Sequence, residues 1–304
     1  MKRSFEVRIG RLKLKNPVMV ASGTFGEEYK ELTNINSLGA IVMKTITLNA
    51  RAGNPPPRIA ETASGMLNSI GLENKGLEYF LTSKASFLKK LKIPVVASIA
   101  GNDEKEYALL AEGLDRSGII DAIEINLSCP NIKHGNRLGL ISQDERSTAG
   151  IVRAVRKATG LTVIAKLTPN VTDVSLIAKA AEDAGADAVL LINTFAGMAV
   201  DINTRKPKLG NITGGLSGPA IKPIALKAVW DTYKKIKIPV IGAGGIMDYK
   251  DAIEFILCGA AAIQVGTANF VDPQTTGAVV KGIKEYMTKN KISDINSIIG
   301  GLSA

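Results

Sequence analysis

Short apolar runs rich in β-branched residues recur along the chain, and eight of them predict buried β-strands. Their lack of alternation between apolar and polar positions is typical of strands covered on both faces, as in parallel sheets. In chain order the predicted strands are Pro17–Ser22, Ala40–Thr47, Pro94–Ala100, Ala122–Ser128, Thr162–Thr168, Ala188–Asn193, Pro239–Ala243 and Ala261–Gly266.

Segments with a helical spacing of apolar residues separate most of these strands. They are Glu104–Arg116, Arg146–Thr159, Asp173–Ala184, Lys222–Lys235 and Tyr249–Leu257. A repeated strand–helix unit favours a closed parallel barrel over an open sheet. Such a barrel needs roughly 250 residues, which the 304-residue chain can supply. The sequence therefore predicts an α/β protein, a single (β/α)8 TIM barrel domain over residues 1–304.

Three further segments are expected to extend the barrel. Phe5–Lys15 alternates apolar and charged residues around Gly10 and predicts a β-hairpin before the first strand. Long insertions, Leu48–Lys92 and Phe195–Pro219, follow the second and sixth strands. Because loops that follow strands lie on the C-terminal face, where barrel enzymes have their active sites, we expect both insertions on that face.

Glycine precedes three of the predicted strands, at Gly39, Gly185 and Gly259. A glycine after a helix commonly adopts the left-handed conformation that ends the helix. We expect this conformation at all three junctions.

The formal net charge of +10 fits a solvated, lysine-rich surface. That surface is the simpler reading, and attraction to an anion, such as a flavin phosphate, a carboxylate substrate, an acidic partner or RNA, is the alternative. Charge alone does not decide between these readings.

Only two cysteines occur, which excludes a disulfide framework and favours a reducing cytosol. No cluster of cysteine and histidine predicts a metal site. Polar residues interrupt the longest charge-free stretch, Phe255–Val271, so it does not read as a membrane span. We expect a soluble, cytoplasmic protein without a bound metal.

Glycine turns follow the last two predicted strands, at Gly244-Gly245 and Gly266-Thr267. In (β/α)8 barrels the loops after these strands frequently bind phosphate, and unobstructed backbone N–H groups can approach its oxygens. Either turn alone is more simply a tight connection. The pair on adjacent strands predicts a phosphate site.

Two lysines, Lys44 and Lys166, fall within predicted buried strands. A lysine that points into a barrel is costly unless it is paired or bound to an anion. The alternative is a lysine that points outward with its ammonium in water. Together the two lysines favour a cofactor with a delocalised anionic state.

Cys129 comes just after the fourth predicted strand, in a polar, glycine-rich loop. Nearby positive charge lowers the pKa of a thiol, which can then act as a general base. Cys258 ends an apolar helix and fits an inert, buried cysteine instead. The single histidine, His134, supports neither a catalytic triad nor a metal site.

Several of these segments resemble the signatures of class 1 dihydroorotate dehydrogenases. They are Asn126–Asn131 (NLSCPN), Met66–Leu72 (MLNSIGL) and Ala243–Ile246 (AGGI). The stretches Asn16–Gly26 and Asn54–Arg58 are similar to the class 1B branch. The resemblance extends over essentially the whole chain.

This resemblance implies an FMN enzyme that oxidises dihydroorotate to orotate in pyrimidine biosynthesis. It implies that Cys129 removes the C5 proton while the C6 hydride passes to the flavin. The residues implied for substrate are Lys44, Asn68, Ser69, Ile70, Gly71, Leu72, Asn126, Asn193 and Thr194. Those implied for FMN are Ser22, Lys44, Thr45, Ser98, Asn126, Lys166, Ile192, Gly218, Gly244, Gly245, Gly266 and Thr267. Ser98 departs from the pattern, since class 1B members often have Asn at that place.

The class 1B resemblance also implies a partner, a second subunit with FAD and a 2Fe-2S cluster that passes electrons to NAD. The expected assembly is a heterotetramer built on a catalytic homodimer. The chain itself has no cysteine set for a cluster and no GxGxxG fingerprint.

Three other functions fit a barrel of this kind. One is a flavin barrel of the dihydropyrimidine dehydrogenase type. Another is a tRNA dihydrouridine synthase, although little chain follows the final predicted helix near Thr276–Thr288 to form an RNA-binding appendage, and we expect no nucleic acid. The third is a non-enzymatic assembly subunit, against which the set of polar strand-end residues speaks.

Overall fold

The computed structural model describes residues 4–127 and 143–303, and its centre is a sheet of eight parallel strands. The strands are Val18–Val20 (β3), Ile41–Ile46 (β4), Val95–Ile99 (β7), Ala122–Asn126 (β8), Thr162–Lys166 (β9), Ala188–Leu191 (β10), Val240–Ala243 (β15) and Ala260–Val265 (β16). Their order around the sheet is β3-β16-β15-β10-β9-β8-β7-β4. Each coincides with one of the eight predicted runs, so the predicted (β/α)8 architecture is confirmed.

The barrel closes between its first two strands in the chain. The Gly39 N–H donates to the carbonyl oxygen of Val18 at 2.8 Å, and Met19 pairs with Ala40 in a parallel bridge. This junction joins the two edges of the eight-stranded sheet, so β3 and β4 meet and the sheet forms a nearly closed ring.

Helices connect the strands and cover the outside of the barrel. Those described are Gly76–Ser83 (α1), Ala85–Leu88 (α2), Glu104–Ser117 (α3), Glu145–Ala158 (α4), Val174–Asp183 (α5), Lys222–Tyr233 (α6), Tyr249–Leu257 (α7), Ala268–Val271 (α8) and Thr275–Lys289 (α9). An aspartate side chain caps the start of four of them, at Asp103, Asp144, Asp173 and Asp248. Each carboxylate accepts from backbone N–H groups of the first turn that would otherwise lack a partner.

The predicted hairpin is confirmed, and it packs against the N-terminal end of the barrel. Val7–Ile9 (β1) pairs antiparallel with Leu12–Leu14 (β2) through Gly10 at φ 57°. The Arg11 N–H donates to Thr162 Oγ1 at the start of β9. The end of the barrel opposite the strand-end loops is therefore covered by the chain's own N-terminal segment.

The two long insertions combine into one antiparallel sheet, which the sequence did not predict. Its strands are Ile59–Thr62 (β5), Gly65–Asn68 (β6), Phe195–Met198 (β11) and Thr213–Ser217 (β14). Their order in the sheet is β11-β14-β6-β5. A two-residue pair, Val200–Asp201 (β12) with Lys206–Pro207 (β13), extends the second insertion. Both insertions follow strands of the barrel, so they share its C-terminal face as expected.

The expectation for glycine at the helix-to-strand junctions is confirmed at two positions and wrong at the third. Gly185 and Gly259 have φ of 98° and 113°. Gly39 does not have positive φ, and a Cβ there would overlap the carbonyl oxygen of Asn16. At Gly39 the glycine is therefore required by close packing of two chain segments and not by a left-handed turn.

Across residues 4–127 and 143–303, we find no helix whose length and hydropathy would let it span a membrane.

Candidate active site

An open cavity of about 670 Å³ lies where the barrel strands end and the two insertions meet. Its size is in the usual range for small-molecule and cofactor sites. It brings together most of the residues implied by the family resemblance. Those that line it are Ser22, Lys44, Thr45, Asn68, Ser69, Ile70, Gly71, Leu72, Asn126, Lys166, Ile192, Asn193, Thr194, Gly218, Gly244, Gly245, Gly266 and Thr267.

Glycine turns from three separate loops adjoin on one side of the cavity. Gly218, Gly244 and Gly245 have φ of 96°, 120° and 78°. A Cβ at Gly245 would lie 3.0 Å from the carbonyl oxygen of Gly218, and a Cβ at Gly218 would lie 3.6 Å from Cγ2 of Thr267. Side chains at these glycines would therefore occupy the space between the loops. Closely spaced backbone near two helix starts is the arrangement that binds phosphate in other barrels.

Lys44 lies on β4 and reaches the cavity beside the end of β3, where a Cβ at Gly23 would be 3.9 Å from its Nζ. The side chain is exposed, but to the cavity rather than to the outer surface. Burial among protein atoms lowers the pKa of this ammonium, Glu73 opposes that effect, and Arg58 adds to it. Lys44 therefore lies within a strand and its side chain faces the cavity.

Amide and hydroxyl side chains form a connected row across the floor of the cavity. Asn193 Nδ2 lies 3.4 Å from Asn126 Oδ1, and Asn126 Nδ2 lies 3.4 Å from Thr45 Oγ1. The Asn126 carbonyl accepts from the buried Tyr107 hydroxyl at 2.9 Å. Because the backbone beneath Asn126 is held in place, its amide is presented to the cavity in a defined position. Amides both donate and accept hydrogen bonds, so this row can recognise a flat ring with alternating N–H and C=O groups.

The segment 68–72 forms a side wall that is tied to the other insertion and to the preceding loop. Asn68 Nδ2 donates to the carbonyl oxygen of Gly215 at 3.3 Å, and Asn54 Nδ2 donates to Ser69 Oγ at 3.0 Å. Leu72 has a φ of 56°, unusual for a side chain of this size. Arg58 pairs with Glu73 just beyond it. These contacts hold a non-regular segment against the cavity.

Lys166 lies on β9 at the bottom of the cavity, and its ammonium is already paired inside the protein. Its Nζ is 3.6 Å from Oε1 of Glu124 and donates to Ser22 Oγ at 3.2 Å. Gln264 Nε2 donates to Oε2 of the same carboxylate at 2.8 Å. The sequence led us to expect a bound anion as the partner of this lysine, and the structure supplies a carboxylate from the chain itself.

Two of the implied residues are not among those lining the cavity. Ser98 is fully buried on β7, and its hydroxyl contacts Thr45 Oγ1 at 2.9 Å, so it supports a residue of the cavity floor from below. Cys129 lies outside the described residues.

Sequence reasoning missed three polar residues of this region. Glu124 and Gln264 are polar positions inside otherwise apolar strands, which was the signal that drew attention to the two lysines. Asn170 lines the cavity and holds Thr194, since its Nδ2 donates to the Thr194 carbonyl at 3.1 Å. It follows β9 by a few residues, and nothing in its local pattern distinguishes it from a loop asparagine.

Fold and site together define a class of protein, a (β/α)8-barrel enzyme whose cavity at the C-terminal mouth contains lysine, amide and hydroxyl side chains. A family model described as dihydroorotate dehydrogenase matches residues 4–287. The chain therefore belongs to the dihydroorotate dehydrogenase family, which is in general flavin-dependent and oxidises dihydroorotate in pyrimidine biosynthesis.

Individual relatives are similar over nearly their whole length. Three are named dihydroorotate dehydrogenase B (NAD(+)), catalytic subunit. The one from Desulforamulus reducens is 52% identical over 302 residues, covering 99% of each chain. The one from Thermoanaerobacter pseudethanolicus is 53% identical over 301 residues, covering 98% of this chain and 99% of the relative. The one from Geobacter sulfurreducens is 51% identical over 304 residues, covering 99% of each.

Proposed function

We propose that this chain is the FMN-containing catalytic subunit of an NAD-linked dihydroorotate dehydrogenase. The observation that carries the proposal is that one cavity joins a cluster of glycine turns, two lysines and a row of amides drawn from distant parts of the chain. The family match and the names of the relatives support the same reaction. When bound, FMN supplies the acceptor for the hydride from C6 of dihydroorotate.

The glycine turns are the proposed phosphate site. Gly218, Gly244, Gly245, Gly266 and Thr267 bind the FMN phosphate through backbone N–H groups. At Gly218, Gly244 and Gly245 the positive φ requires glycine. Ser22, Thr45, Ser98, Asn126, Lys166 and Ile192 are assigned to the rest of the cofactor. Ser98 acts through Thr45, given its buried position. Lys166 presents positive charge to a ring system that becomes anionic on reduction.

Substrate binding is assigned to the amide row and the side wall. The amides of Asn126, Asn193 and Asn68 match the alternating donors and acceptors of the dihydropyrimidine ring. The Lys44 ammonium, which is partly desolvated by the surrounding protein atoms, binds the substrate carboxylate through a charge-assisted contact. Ser69, Ile70, Gly71, Leu72 and Thr194 complete the wall around it.

Cys129 is proposed as the base that takes the proton from C5. Along the chain it follows the strand that carries Asn126, whereas the other cysteine, Cys258, caps the end of α7. Cys258 is unsuited to that role, since burial raises the pKa of its thiol.

We further propose that a second subunit receives the electrons and passes them to NAD. Support comes from the relatives, whose names give NAD(+) and describe a catalytic subunit. The FAD and 2Fe-2S cluster of that partner, the catalytic homodimer within a heterotetramer, and a cytoplasmic location are parts of this proposal.

The proposal is tested by anaerobic titration of the purified protein with dihydroorotate. We expect the protein to retain FMN and the 450 nm region of its spectrum to bleach on addition of substrate. A protein that binds no FMN, or whose bound flavin stays oxidised, would contradict the assignment and leave the other barrel functions open.

Cys129→Ala is the matched variant for the proposed base, and Cys258→Ala is its control. We expect Cys129→Ala to bind FMN and orotate but to reduce its flavin more slowly by about 10²–10⁴-fold, the usual contribution of a general base. Cys129→Ser should recover part of the rate at high pH, because a hydroxyl is a much weaker acid than a thiol. Stopped-flow reduction measures both, and parent-like reduction by Cys129→Ala would show that another group takes the proton.

A further inference from the structure

A buried carboxylate stands behind the lysine that faces the cavity. Glu124 lies in the middle of β8 with none of its surface exposed, and Lys166 is 6% exposed. Their charged atoms, Oε1 and Nζ, are 3.6 Å apart. Lys166 and Gln264, the two side chains that contact this carboxylate, line the cavity and Glu124 does not, so Glu124 acts on a bound molecule from behind these two residues.

The carboxylate of Glu124 has a hydrogen-bond donor on one oxygen and an ammonium near the other. Gln264, 1% exposed on β16, donates its Nε2 to Glu124 Oε2 at 2.8 Å. Oε1 of Glu124 makes no hydrogen bond among the described residues, which leaves the ammonium of Lys166 as its compensating group. An ion pair of this depth stabilises a fold little compared with apolar side chains of the same volume. Stability is therefore a poor reason for its presence beneath a cavity.

The pair has a defined electrostatic consequence for the cavity. Alone, the Lys166 ammonium would place a full positive charge at the floor, where a low dielectric environment keeps its field strong. With Glu124 beside it, the net charge of the pair is zero, and the field that reaches the cavity is that of a dipole. The positive end still faces the ligand, but its attraction for an anion is reduced.

We propose that Glu124 is a positioning residue that holds Lys166 against the flavin and, by balancing its charge, keeps the reduction potential of the flavin low. This inference rests on the proposed function, in which Lys166 contacts FMN. An unbalanced lysine would stabilise the anionic reduced flavin and raise its potential. A flavin whose electrons go on to NAD, an acceptor of low potential, benefits from the opposite adjustment.

The test is the two-electron reduction potential of bound FMN in Glu124→Gln, measured against a reference dye. Glutamine has the size of glutamate and can keep a bond to Gln264, but it carries no charge. We expect the potential to rise, and sulfite, which forms an anionic adduct with oxidised flavin, to bind about tenfold more tightly. A tenfold change in a two-electron equilibrium corresponds to about 30 mV.

Glu124→Met is the second variant, because it removes the charge and also the hydrogen bond. If the reduction potential rises in both variants, the cause is the loss of the charge of Glu124, which the two variants share, and this result supports the inference. If Glu124→Gln fails to fold, the Glu124→Met potential decides alone, since methionine has a similar length and puts no polar group of its own at position 124, although Gln264 Nε2 then loses its acceptor. A potential that stays at the parent value, or falls, in the folded variant overturns the inference.

The same preparations separate this inference from the function on which it rests. FMN content and bleaching by dihydroorotate are recorded for the parent protein first. A parent that fails these measurements contradicts the proposed function. A parent that passes them, with variants of unchanged potential, contradicts only the role of Glu124.

Discussion

Lys44 shows how one side chain can be set for anion binding by its surroundings. Protein atoms around the ammonium lower its pKa from the ordinary value of 10.5, with Arg58 contributing and Glu73 opposing. Lowering the pKa of a lysine disfavours its charged form, so an arriving carboxylate meets an ammonium that it can stabilise. A bound anion therefore raises that pKa again, and binding becomes dependent on pH.

We predict that orotate binding weakens on the alkaline side, and earlier than for an ordinary lysine. The carboxylate contact contributes its full affinity below the lowered pKa of Lys44 in the free protein, and that contribution declines above it until the pH passes the higher pKa of Lys44 in the complex. The measurement is the dissociation constant of orotate at a series of pH values between 7 and 10, obtained from the change that orotate causes in the flavin spectrum. In Lys44→Met binding should be about 10–100-fold weaker at pH 7, as expected for loss of a charge-assisted hydrogen bond. The ratio of the orotate dissociation constants of Lys44→Met and the parent should become smaller as pH rises.

The surface variant Lys281→Met serves as the control for Lys44→Met, because Lys281 has a side-chain exposure of 81% on α9. It should bind orotate like the parent at every pH. A constant ratio between Lys44→Met and the parent across the pH range would remove Lys44 as the titrating group.

For individual residues, the sequence predicted many of the side chains that line the cavity but not all of their contacts. Lysines within apolar strands were informative because burial of a charge requires a partner, yet the partner of Lys166 proved to be Glu124 on a neighbouring strand. Which strand face a residue occupies, and what lies opposite it, depends on the register between strands. For the same reason Ser98, read as a cofactor contact, was seen to lie beneath Thr45 only in three dimensions.

Among the elements, the junction of β3 and β4 depends on a residue without a side chain. A Cβ at Gly39 would overlap the carbonyl oxygen of Asn16 and lie 3.0 Å from that of Val18. Both atoms belong to the backbone, so neither can move without shifting the strand. The Gly39 N–H also donates the hydrogen bond that joins the two edges of the barrel sheet.

We predict that Gly39→Ala lowers the free energy of unfolding by at least about 1–3 kcal/mol, the usual cost of overpacking. Denaturant unfolding followed by circular dichroism measures it. Gly277→Ala is the control, because Gly277 lies within α9 and its added Cβ would only reach Thr33 Oγ1 at 3.6 Å. Gly277 lies in the first turn of α9, so alanine there should stabilise the protein by at most roughly 0.5–1 kcal/mol, the gain found in the middle of a helix. Equal effects of the two substitutions would refute the argument from backbone contact.

The elements were predicted well where the signal is local and poorly where it is not. Buried strands, the hairpin and helix periodicity follow from short-range patterns, and their bounds agree with the structure to within one or two residues at most ends. Pairing of β6 with β14 joins residues about 150 positions apart, and no local pattern specifies such a partner. The mistaken conformation at Gly39 has the same origin, since Asn16 is distant along the chain.

For the whole molecule, the proposed division of labour places substrate oxidation here and NAD reduction elsewhere. We predict that the chain alone is reduced by dihydroorotate in a single turnover, while NADH formation at 340 nm needs the second subunit. Addition of that subunit should restore steady turnover, and dialysis buffer without it should not. Rapid NADH production by the purified chain alone would contradict the proposed partner.

The antiparallel sheet formed by β5, β6, β11 and β14 has a practical consequence for anyone who redesigns this pocket. Strands from both long insertions pair edge to edge to form this wall of the pocket. Neither insertion can therefore be exchanged for a homologous loop by itself. A graft designed to alter ligand preference would have to transfer both insertions together. Exchanging only one would leave a strand edge without its hydrogen-bonding partner in the wall of the pocket.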